Sequence, residues 1–395
     1  MSRKLVARSP DLKQLRDEGY DLEIRGTHVL VKSVPYVTSA KTVRTDGVLV
    51  ATLDLLQDRT KQPERHVAWF SGELPCDQHG VKLTDIIIDE NRETLAGLAV
   101  TCQFSHKPQR GEPYLDYHAK MTAYVRILLH EAQAIDPAVK AKVFNPIPAD
   151  PDDDSPFQYF DSASSRAGID QLSRKLAMDR IAIVGLGGTG SYILDLVAKT
   201  YVKEIHLYDD DDFGQHNAFR CPGAVAFEDL KADLKKVDHY AAVYLRLHKG
   251  IAPHPYRIGP HNVQELARMQ FVFLSMDSGE WKDAIMRSLE EAGVSFIDVG
   301  MGVLYRSESL IANLRITSST TDKRNHIREN ERISFAPATG DNLYSRNIQV
   351  ADLNSLNAAL AVVKWKKLCG FYHDYKKEHH STYVVEMNKL SSEDV

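Results

Sequence analysis

Residues 180–191 read RIAIVGLGGTGS, and this stretch decides the fold of the second half of the chain. The apolar residues 181–184 predict a buried strand, and the loop after them leads into a helix that we expect to begin near Ser191. Glycines let a backbone approach phosphate groups closely, while free amides and the helix dipole favour their negative charge. The loop therefore predicts a nucleotide-binding site. Its glycines are Gly185, Gly187, Gly188 and Gly190.

Strands and helices alternate beyond this loop. In chain order we predict a helix at 190–202, a strand at 204–211, a helix at 234–248, a strand at 271–277, a helix at 282–293, a strand at 294–300, a helix at 352–370 and a closing strand at 381–388. Alternation of this kind is typical of an α/β fold with a Rossmann-like, doubly wound and mostly parallel sheet.

The chain changes character near residue 150. Residues 141–165 combine prolines, aspartates and serines without apolar periodicity, which is typical of a surface connection. We therefore predict a smaller α+β domain over 1–150, a linker over 151–165 and the Rossmann-like domain over 166–395. The predicted elements of the first domain are strands within 27–37, 47–55 and 66–72, and a helix over 117–136 with Met121, Val125, Leu128 and Leu129 at helical spacing.

Composition excludes several functional classes. The 395 residues carry a formal net charge of −5, which gives no reason to expect nucleic acid or an anionic membrane as the main partner. No apolar run approaches the roughly 20 residues that span a bilayer, and the first residues lack the apolar core of a secretion signal. The four cysteines show neither zinc-site spacing nor the density of a disulfide framework. We expect a soluble, cytoplasmic protein with reduced thiols.

The glycine loop alone does not identify the nucleotide. A dinucleotide-dependent dehydrogenase would show the same loop with an acid near the end of the next strand, and Asp209 meets that requirement. The following residues 209–220, DDDDFGQHNAFR, are more specific. With the loop, they resemble the signature of the ubiquitin-activating superfamily, which includes the ThiF and MoeB adenylyltransferases. The residues that match in order are Asp209, Asp211, Phe213, Asn217 and Arg220.

This resemblance, which covers roughly residues 160 to 370, implies an ATP-dependent adenylation site. In it Asp209 binds the ribose hydroxyls, while Asn217 and Arg220 reach the phosphates. Arg220 could instead form a surface ion pair with the preceding aspartates. A phosphate-binding lysine is also implied at the start of the next helix, where Lys236 matches best and Lys235 and Lys231 are alternatives.

Two further residues follow from the resemblance. Asp277 at the end of the third strand matches the family's magnesium ligand, and oxygen ligands at this edge of a parallel sheet suit Mg²⁺. It could also cap the helix that follows. Arg166 lies where the family has an arginine that reaches into the partner subunit's site, which implies a homodimer; Arg174 and Arg180 are nearby alternatives.

The chain departs from the family where a catalytic cysteine is expected, because residues 317–350 contain none. Cys221 and Cys369 are poorly placed, and we expect Cys221 to pack as a small apolar residue. Three routes stay open: release of the adenylate to an external acceptor, which we prefer; transfer to a hydroxyl; or use of the amino-terminal Cys76. The hydroxyls in question belong to Ser334, Thr339 and Ser345.

The sequence thus predicts ATP- and Mg²⁺-dependent adenylation of the carboxyl terminus of a ubiquitin-like protein. The first domain is expected to recruit that protein or a ubiquitin-conjugating enzyme. Alternatives are a sulfur-carrier adenylyltransferase of cofactor biosynthesis, a nicotinamide-dependent oxidoreductase and a nucleotide-sensing scaffold. The absence of paired zinc-binding cysteines disfavours the first of these alternatives.

Overall fold

The computed structural model describes residues 2–108, 112–149, 154–276, 280–333, 335 and 348–393. The chain divides into two compact units, Met1–Ile147 and Pro148–Val395. Within the predicted linker, Phe157 is 4% exposed and packs against Tyr201 and His248 of the second unit.

The first unit is an antiparallel sheet with helices. Its helices are α1 (Ser2–Arg8), α2 (Pro10–Asp17) and α3 (Tyr117–Ile135). Its strands are β1 (Asp21–Arg25), β2 (His28–Val37), β3 (Val43–Thr52), β4 (Leu55–Leu56), β5 (Arg59–Thr60), β6 (Ala68–Ser71), β7 (Ile87–Asp89), β8 (Glu93–Leu95), β9 (Leu98–Val100) and β10 (Cys102–Phe104). The main sheet has the order β1-β2-β3-β6-β10-β7, and β4-β5 and β8-β9 form two small hairpins.

Helix α3 closes this unit as the sequence predicts. Its apolar stripe, which includes Met121 and Leu128, is buried in one core with the inner face of the sheet. A row of aromatic rings joins strand to helix: Phe70 lies 5.6 Å from Phe104, which lies 5.9 Å from Tyr124. Burial of these large rings on one face of the sheet stabilises the unit.

The second unit contains most of the predicted α/β elements. Its strands are β11 (Arg180–Val184), β12 (Glu204–Tyr208), β13 (Ile251–His254), β14 (Phe271–Leu274), β15 (Ser295–Arg306), β16 (Ser309–Ser319), β17 (His380–Val384) and β18 (Lys389–Ser392). Its helices are α4 (Ser162–Arg166), α5 (Asp170–Ser173), α6 (Gly188–Val197), α7 (Gln215–Ala218), α8 (Phe227–Lys231), α9 (Lys236–Tyr244), α10 (Glu280–Glu291), α11 (His326–Glu329) and α12 (Ala351–Leu368), with 3₁₀ turns at Arg174–Leu176 and Val263–Arg268.

The eight strands form one sheet in the order β13-β12-β11-β14-β15-β16-β17-β18. The first five strands are parallel and the last three antiparallel. Helices α6, α9 and α12 pack on one face, whereas α10 and the second 3₁₀ turn pack on the other. The doubly wound, mostly parallel sheet predicted from the sequence is confirmed, as is the α+β character of the first domain.

The structure differs from the sequence prediction in detail. Helix α6 begins at Gly188 rather than near Ser191, so the glycines form its first turn. Strand β15 continues past Gly300 to Arg306 and forms a long hairpin with β16. The sequence analysis did not predict this extension, nor strands β13, β16 and β18. The extension depends on pairing with β16, which local pattern does not reveal. No helix in the described parts of the chain is long and apolar enough to cross a membrane.

Candidate nucleotide-binding site

The glycine loop joins β11 to α6 in a tight turn. Gly185 has φ of +90°, and a Cβ on Gly190 would lie 1.9 Å from the Gly185 carbonyl oxygen, so neither position accepts a larger residue without rearrangement. Gly187 caps α6, and a Cβ there would meet no atom within 4 Å. The loop is therefore packed on its inner side and leaves open space at Gly187, where a phosphate could reach the first amides of a ten-residue helix.

Asp209 follows β12 and is bonded to this loop. Its Oδ2 accepts a hydrogen bond from the Leu186 amide at 2.6 Å, and its Oδ1 accepts one from the Asp211 amide at 2.9 Å. Its side chain is only 8% exposed. The carboxylate thus fixes the loop against the carboxyl end of the neighbouring strand, and each oxygen retains capacity to accept a further hydrogen bond.

One of the three candidate lysines lies beside these aspartates. Lys236 Nζ is 2.5 Å from Asp211 Oδ2 and 3.6 Å from Asp209 Oδ1, with 6% of its side chain exposed. Its hydrogen bond to Asp211 lowers the pKa of that carboxyl. Lys235 instead pairs with Asp212 at 2.7 Å.

The third candidate, Lys231, stands 4.5 Å from the centre of the Phe227 ring. Within the described chain, neither Lys231 nor Lys235 forms an ion pair with Asp209. Lys236, the first residue of α9, alone of the three combines low exposure with contact to both Asp209 and Asp211 among the described residues.

Asn217 and Arg220 belong to one turn. Asn217 is 2% exposed, and its Oδ1 accepts a hydrogen bond from the Gly214 amide at 2.9 Å. The Arg220 amide in turn donates to the Asn217 carbonyl at 3.0 Å. Arg220 Nε is buried without a hydrogen-bond partner, and no ion pair joins Arg220 to a described carboxylate. An unpartnered guanidinium nitrogen is costly to bury, so this turn has a donor available for an anion.

The remaining predicted residues are less informative. Asp277 lies outside the described residues. Arg166 is exposed at the end of the short helix α4. The carboxylates of Asp209, Asp210 and Asp211 lie within 4.8 Å of one another.

Two residues that the sequence reading missed contact the loop from α12 and the residues before it. Gln349 Oε1 accepts a hydrogen bond from the Gly188 amide at 3.3 Å, and Asn354 Oδ1 accepts one from the Thr189 hydroxyl at 3.2 Å. These partners are 161 and 165 residues apart in the chain. No local motif signals such contacts, because only the packing of α12 on α6 creates them.

A buried ionic triad was also missed. Asp298 is fully buried in β15, with Oδ1 at 2.5 Å from Lys282 Nζ and Oδ2 at 2.5 Å from Arg315 Nη2. Lys282 also donates to the Met276 carbonyl at 3.2 Å, just after β14. The triad therefore ties the start of α10 and the end of β14 to the neighbouring strand.

None of the four cysteines has the environment of an activated nucleophile. Burial raises the pKa of Cys221, which packs in the core as expected, and raises those of Cys102 and Cys369 to about 12. Burial and the neighbouring Asp77 also raise the pKa of Cys76. A high pKa leaves little thiolate at neutral pH. The candidate hydroxyls of Ser334, Thr339 and Ser345 lie outside the described residues.

Comparison with known proteins bears on both units. Residues 10–162 match the model of a domain of unknown function, DUF6791, and residues 162–313 match the ThiF family. No curated protein sequence matches the chain.

Several solved structures align with it. E. coli MccB with AMPCPP and MccA aligns at 17% identity over 59% of this chain and 70% of its own, with a TM-score of 0.44. PaaA aligns at 17% identity over 57% of this chain and 75% of its own, with a TM-score of 0.44. E. coli MccB with ATP aligns at 17% identity over 58% of this chain and 67% of its own, with a TM-score of 0.43.

The family match confirms the resemblance seen in the sequence motifs, and it falls on the unit that contains the glycine loop. It supports an ATP-dependent adenylyltransferase. The chain therefore contains a ThiF family domain, a nucleotide-binding domain of the adenylyltransferase type, over residues 162–313.

Proposed function

We propose that this protein uses ATP and Mg²⁺ to adenylate the carboxyl terminus of a ubiquitin-like protein. The observation that carries the proposal is a glycine loop bound to Asp209, together with two cationic residues that follow this aspartate in the chain. Lys236 lies beside the loop-bound Asp209, and Arg220 has an unpartnered buried nitrogen. A triphosphate needs both loop amides and cations, and the ThiF family match supports ATP as the nucleotide.

The reaction joins a carboxylate to the α-phosphate. A carboxylate oxygen of the substrate attacks the α-phosphorus, an acyl–phosphate bond forms, and the bond to the bridging oxygen of the β-phosphate breaks. Pyrophosphate leaves with that oxygen and its electron pair. In this proposal Arg220 and Lys236 stabilise the negative charge that grows on the leaving group, while Asp209 orients the ribose.

Mg²⁺ enters the proposal through Asp277. The described carboxylates of Asp209 and Asp211 are less suitable ligands, because the Asp209 side chain is only 8% exposed and Lys236 pairs with both. A carboxylate after β14 would lie at the same edge of the sheet as the loop, and Mg²⁺ prefers oxygen ligands shared with phosphates. When bound there, the ion would neutralise charge on the phosphates.

The other parts of the proposal concern partners. We assign Arg166 to the active site of a second copy, so that the working unit is a homodimer in the cytoplasm. We assign the first domain to recruitment of the ubiquitin-like protein or a ubiquitin-conjugating enzyme. Because burial raises the pKa of Cys76 and Cys221, release of the adenylate to an external acceptor is the route that we propose.

Exchange of radiolabelled pyrophosphate into ATP tests adenylation. The full chain, with Mg²⁺ and ubiquitin-like proteins that end in glycine, should catalyse exchange, and Asp277→Ala should abolish it. Arg220→Ala and Lys236→Ala should each reduce it about 100-fold or more, as expected for removal of a charge-stabilising group. Lys235→Ala is the matched control, since Lys235 pairs with the exposed Asp212, and it should retain exchange within about threefold.

The outcomes separate the alternatives. Exchange driven by a sulfur carrier but by no modifier would support the biosynthetic alternative. Tight binding of NADH without binding of ATP in calorimetry would support the oxidoreductase. Absence of exchange with every glycine-tailed protein would contradict the proposed function.

A further inference from the structure

Asn354 connects the two segments that carry the phosphate-binding groups of the site. It lies in the second turn of α12 and is fully buried. Its Oδ1 accepts a hydrogen bond from the Thr189 hydroxyl at 3.2 Å, and its Nδ2 donates to the Arg220 carbonyl at 3.4 Å. One side-chain amide thus bridges the first turn of α6 to the turn that carries Arg220.

Packing reinforces these hydrogen bonds. A Cβ added to Gly188 would lie 2.0 Å from Asn354 Nδ2, so the amide occupies the space that a glycine leaves free in the loop. The burial of Asn354 excludes it from direct contact with a nucleotide. Its amide therefore acts on the site through its two partners, and both hydrogen-bonding ends of the amide are used, as a buried polar group requires.

Of the two residues that Asn354 joins, Arg220 is the one whose position matters most for phosphate binding. Its backbone is held on one side by the hydrogen bond from its amide to Asn217, and on the other by Asn354 at its carbonyl. Its buried Nε has no partner among the described residues. Fixing the backbone reduces the conformational entropy that the arginine loses when it binds a phosphate.

We propose that Asn354 is a positioning residue that holds Arg220 in register with the glycine loop. The inference deepens the proposed function and rests on it. It adds α12, far along the chain, to the machinery of the nucleotide site. It also assigns a reason for a fully buried polar residue on a helix whose other inward side chains include Ala358, Ala361 and Trp365.

A double-mutant cycle tests the inference, with ATP binding and pyrophosphate exchange as readouts. Asn354→Ala should lower kcat/KM for ATP about 5- to 20-fold, in line with the loss of one or two hydrogen bonds from a preorganised site. In an Arg220→Ala background the same change should have almost no further effect, because its action through Arg220 has been removed. Equal losses in both backgrounds would overturn the inference.

Two further variants separate positioning from general stability. Asn357→Ala is the matched control, because Asn357 is fully buried on the same helix and donates to the Gly300 carbonyl at 3.2 Å, while no hydrogen bond joins it to a described residue of the glycine loop. It should lower the melting temperature without changing the Kd for ATP. If Asn354→Ala does not fold, Thr189→Val removes one end of the bridge and should weaken ATP binding about two- to fivefold.

Failure of the inference is distinguishable from failure of the proposed function. Wild-type exchange and its loss in Arg220→Ala test the function without any change at Asn354. If Arg220→Ala loses exchange as expected but Asn354→Ala exchanges at the wild-type rate, the inference is overturned and the proposed function stands. Absence of exchange in the wild-type protein would remove the function on which it rests.

Discussion

The buried lysines of the two units have different partners. In the first unit, buried donors bond to backbone carbonyls: the Tyr117 hydroxyl donates to Thr52 at 2.8 Å, and Lys120 Nζ donates to Arg65 at 2.9 Å. In the second unit, buried cations face carboxylates, as Lys236 and Lys282 do. A hydrogen bond to a backbone carbonyl fixes one segment against another, whereas a buried ion pair places opposite charges inside the fold.

The position of these charges is as informative as their partners. Asp209 follows β12, and Asp298 pairs in register with Leu274, the last residue of β14. Leu274 in turn pairs with Val184, the residue before the glycine loop. The ion pairs of Asp209 and Asp298 therefore lie where parallel strands end, which is where open α/β sheets bind ligands. The contrast is between buried donors that bond to backbone carbonyls in the first unit and buried ion pairs at the carboxyl edge of the sheet in the second.

The largest expected effect comes from Asp298. Asp298→Ala leaves Lys282 and Arg315 close together without their carboxylate, and loss of one partner from a buried ion pair costs about 3–5 kcal/mol. We expect that loss in urea unfolding of the full chain, with hydrogen exchange of β15 and β16 peptides reporting on the second unit. Glu204→Gln is the control, because its pair with Arg180 is about half exposed and should contribute less than about 1 kcal/mol. Equal losses for both variants would contradict the role of burial.

Substitution of Lys120 should stabilise the protein rather than destabilise it. Burial lowers the pKa of Lys120 from its ordinary value to about 8, so the folded protein binds fewer protons here than the unfolded chain between about pH 8 and 10.5. Wild-type stability should therefore rise with pH across that window. Lys120→Met should gain about 1–2 kcal/mol at pH 7, after the lost hydrogen bond to Arg65 is included, and the gain should disappear near pH 10.

Lys142 provides the control for this titration. Its hydrogen bond to Glu18 raises its pKa, so its contribution is present at neutral pH and is lost as pH rises through the folded pKa. Lys142→Met should therefore destabilise slightly at pH 7 and not at high pH. If stability depends on pH in the same way in both lysine variants, burial of the Lys120 charge does not destabilise the first unit.

Cys76 should show the smallest effect. The residue is 3% exposed, and the raised pKa of its thiol leaves little thiolate at neutral pH. Cys76→Ala should leave pyrophosphate exchange unchanged within about twofold, and the wild-type thiol should react with iodoacetamide more slowly than free cysteine. Rapid alkylation of Cys76, together with loss of modifier transfer in Cys76→Ala, would assign catalysis to the first unit and contradict the contrast between the two units.

Much of the fold follows from local pattern. Apolar periodicity gives helix α3, and the alternation of strands and helices gives the parallel sheet, because each buried face must match the period of its element. The pattern failed at β13, β16 and β18. These strands lie at or near the antiparallel and outer parts of the sheet, where pairing with a neighbour, rather than a continuous apolar run, specifies the strand.

The candidate site divides in the same way. The sequence by itself singled out the glycine loop, Asp209 and the order of Asn217 and Arg220 as candidates, because loop chemistry and short spacing are local properties of the sequence. Only the tertiary structure decided that Lys236, rather than its two neighbours, lies beside Asp209, and that Asn354 bridges the loop to Arg220. The reason is physical: a helix face and a contact across 165 residues depend on how α9 and α12 pack on the sheet, and packing is set by the whole unit.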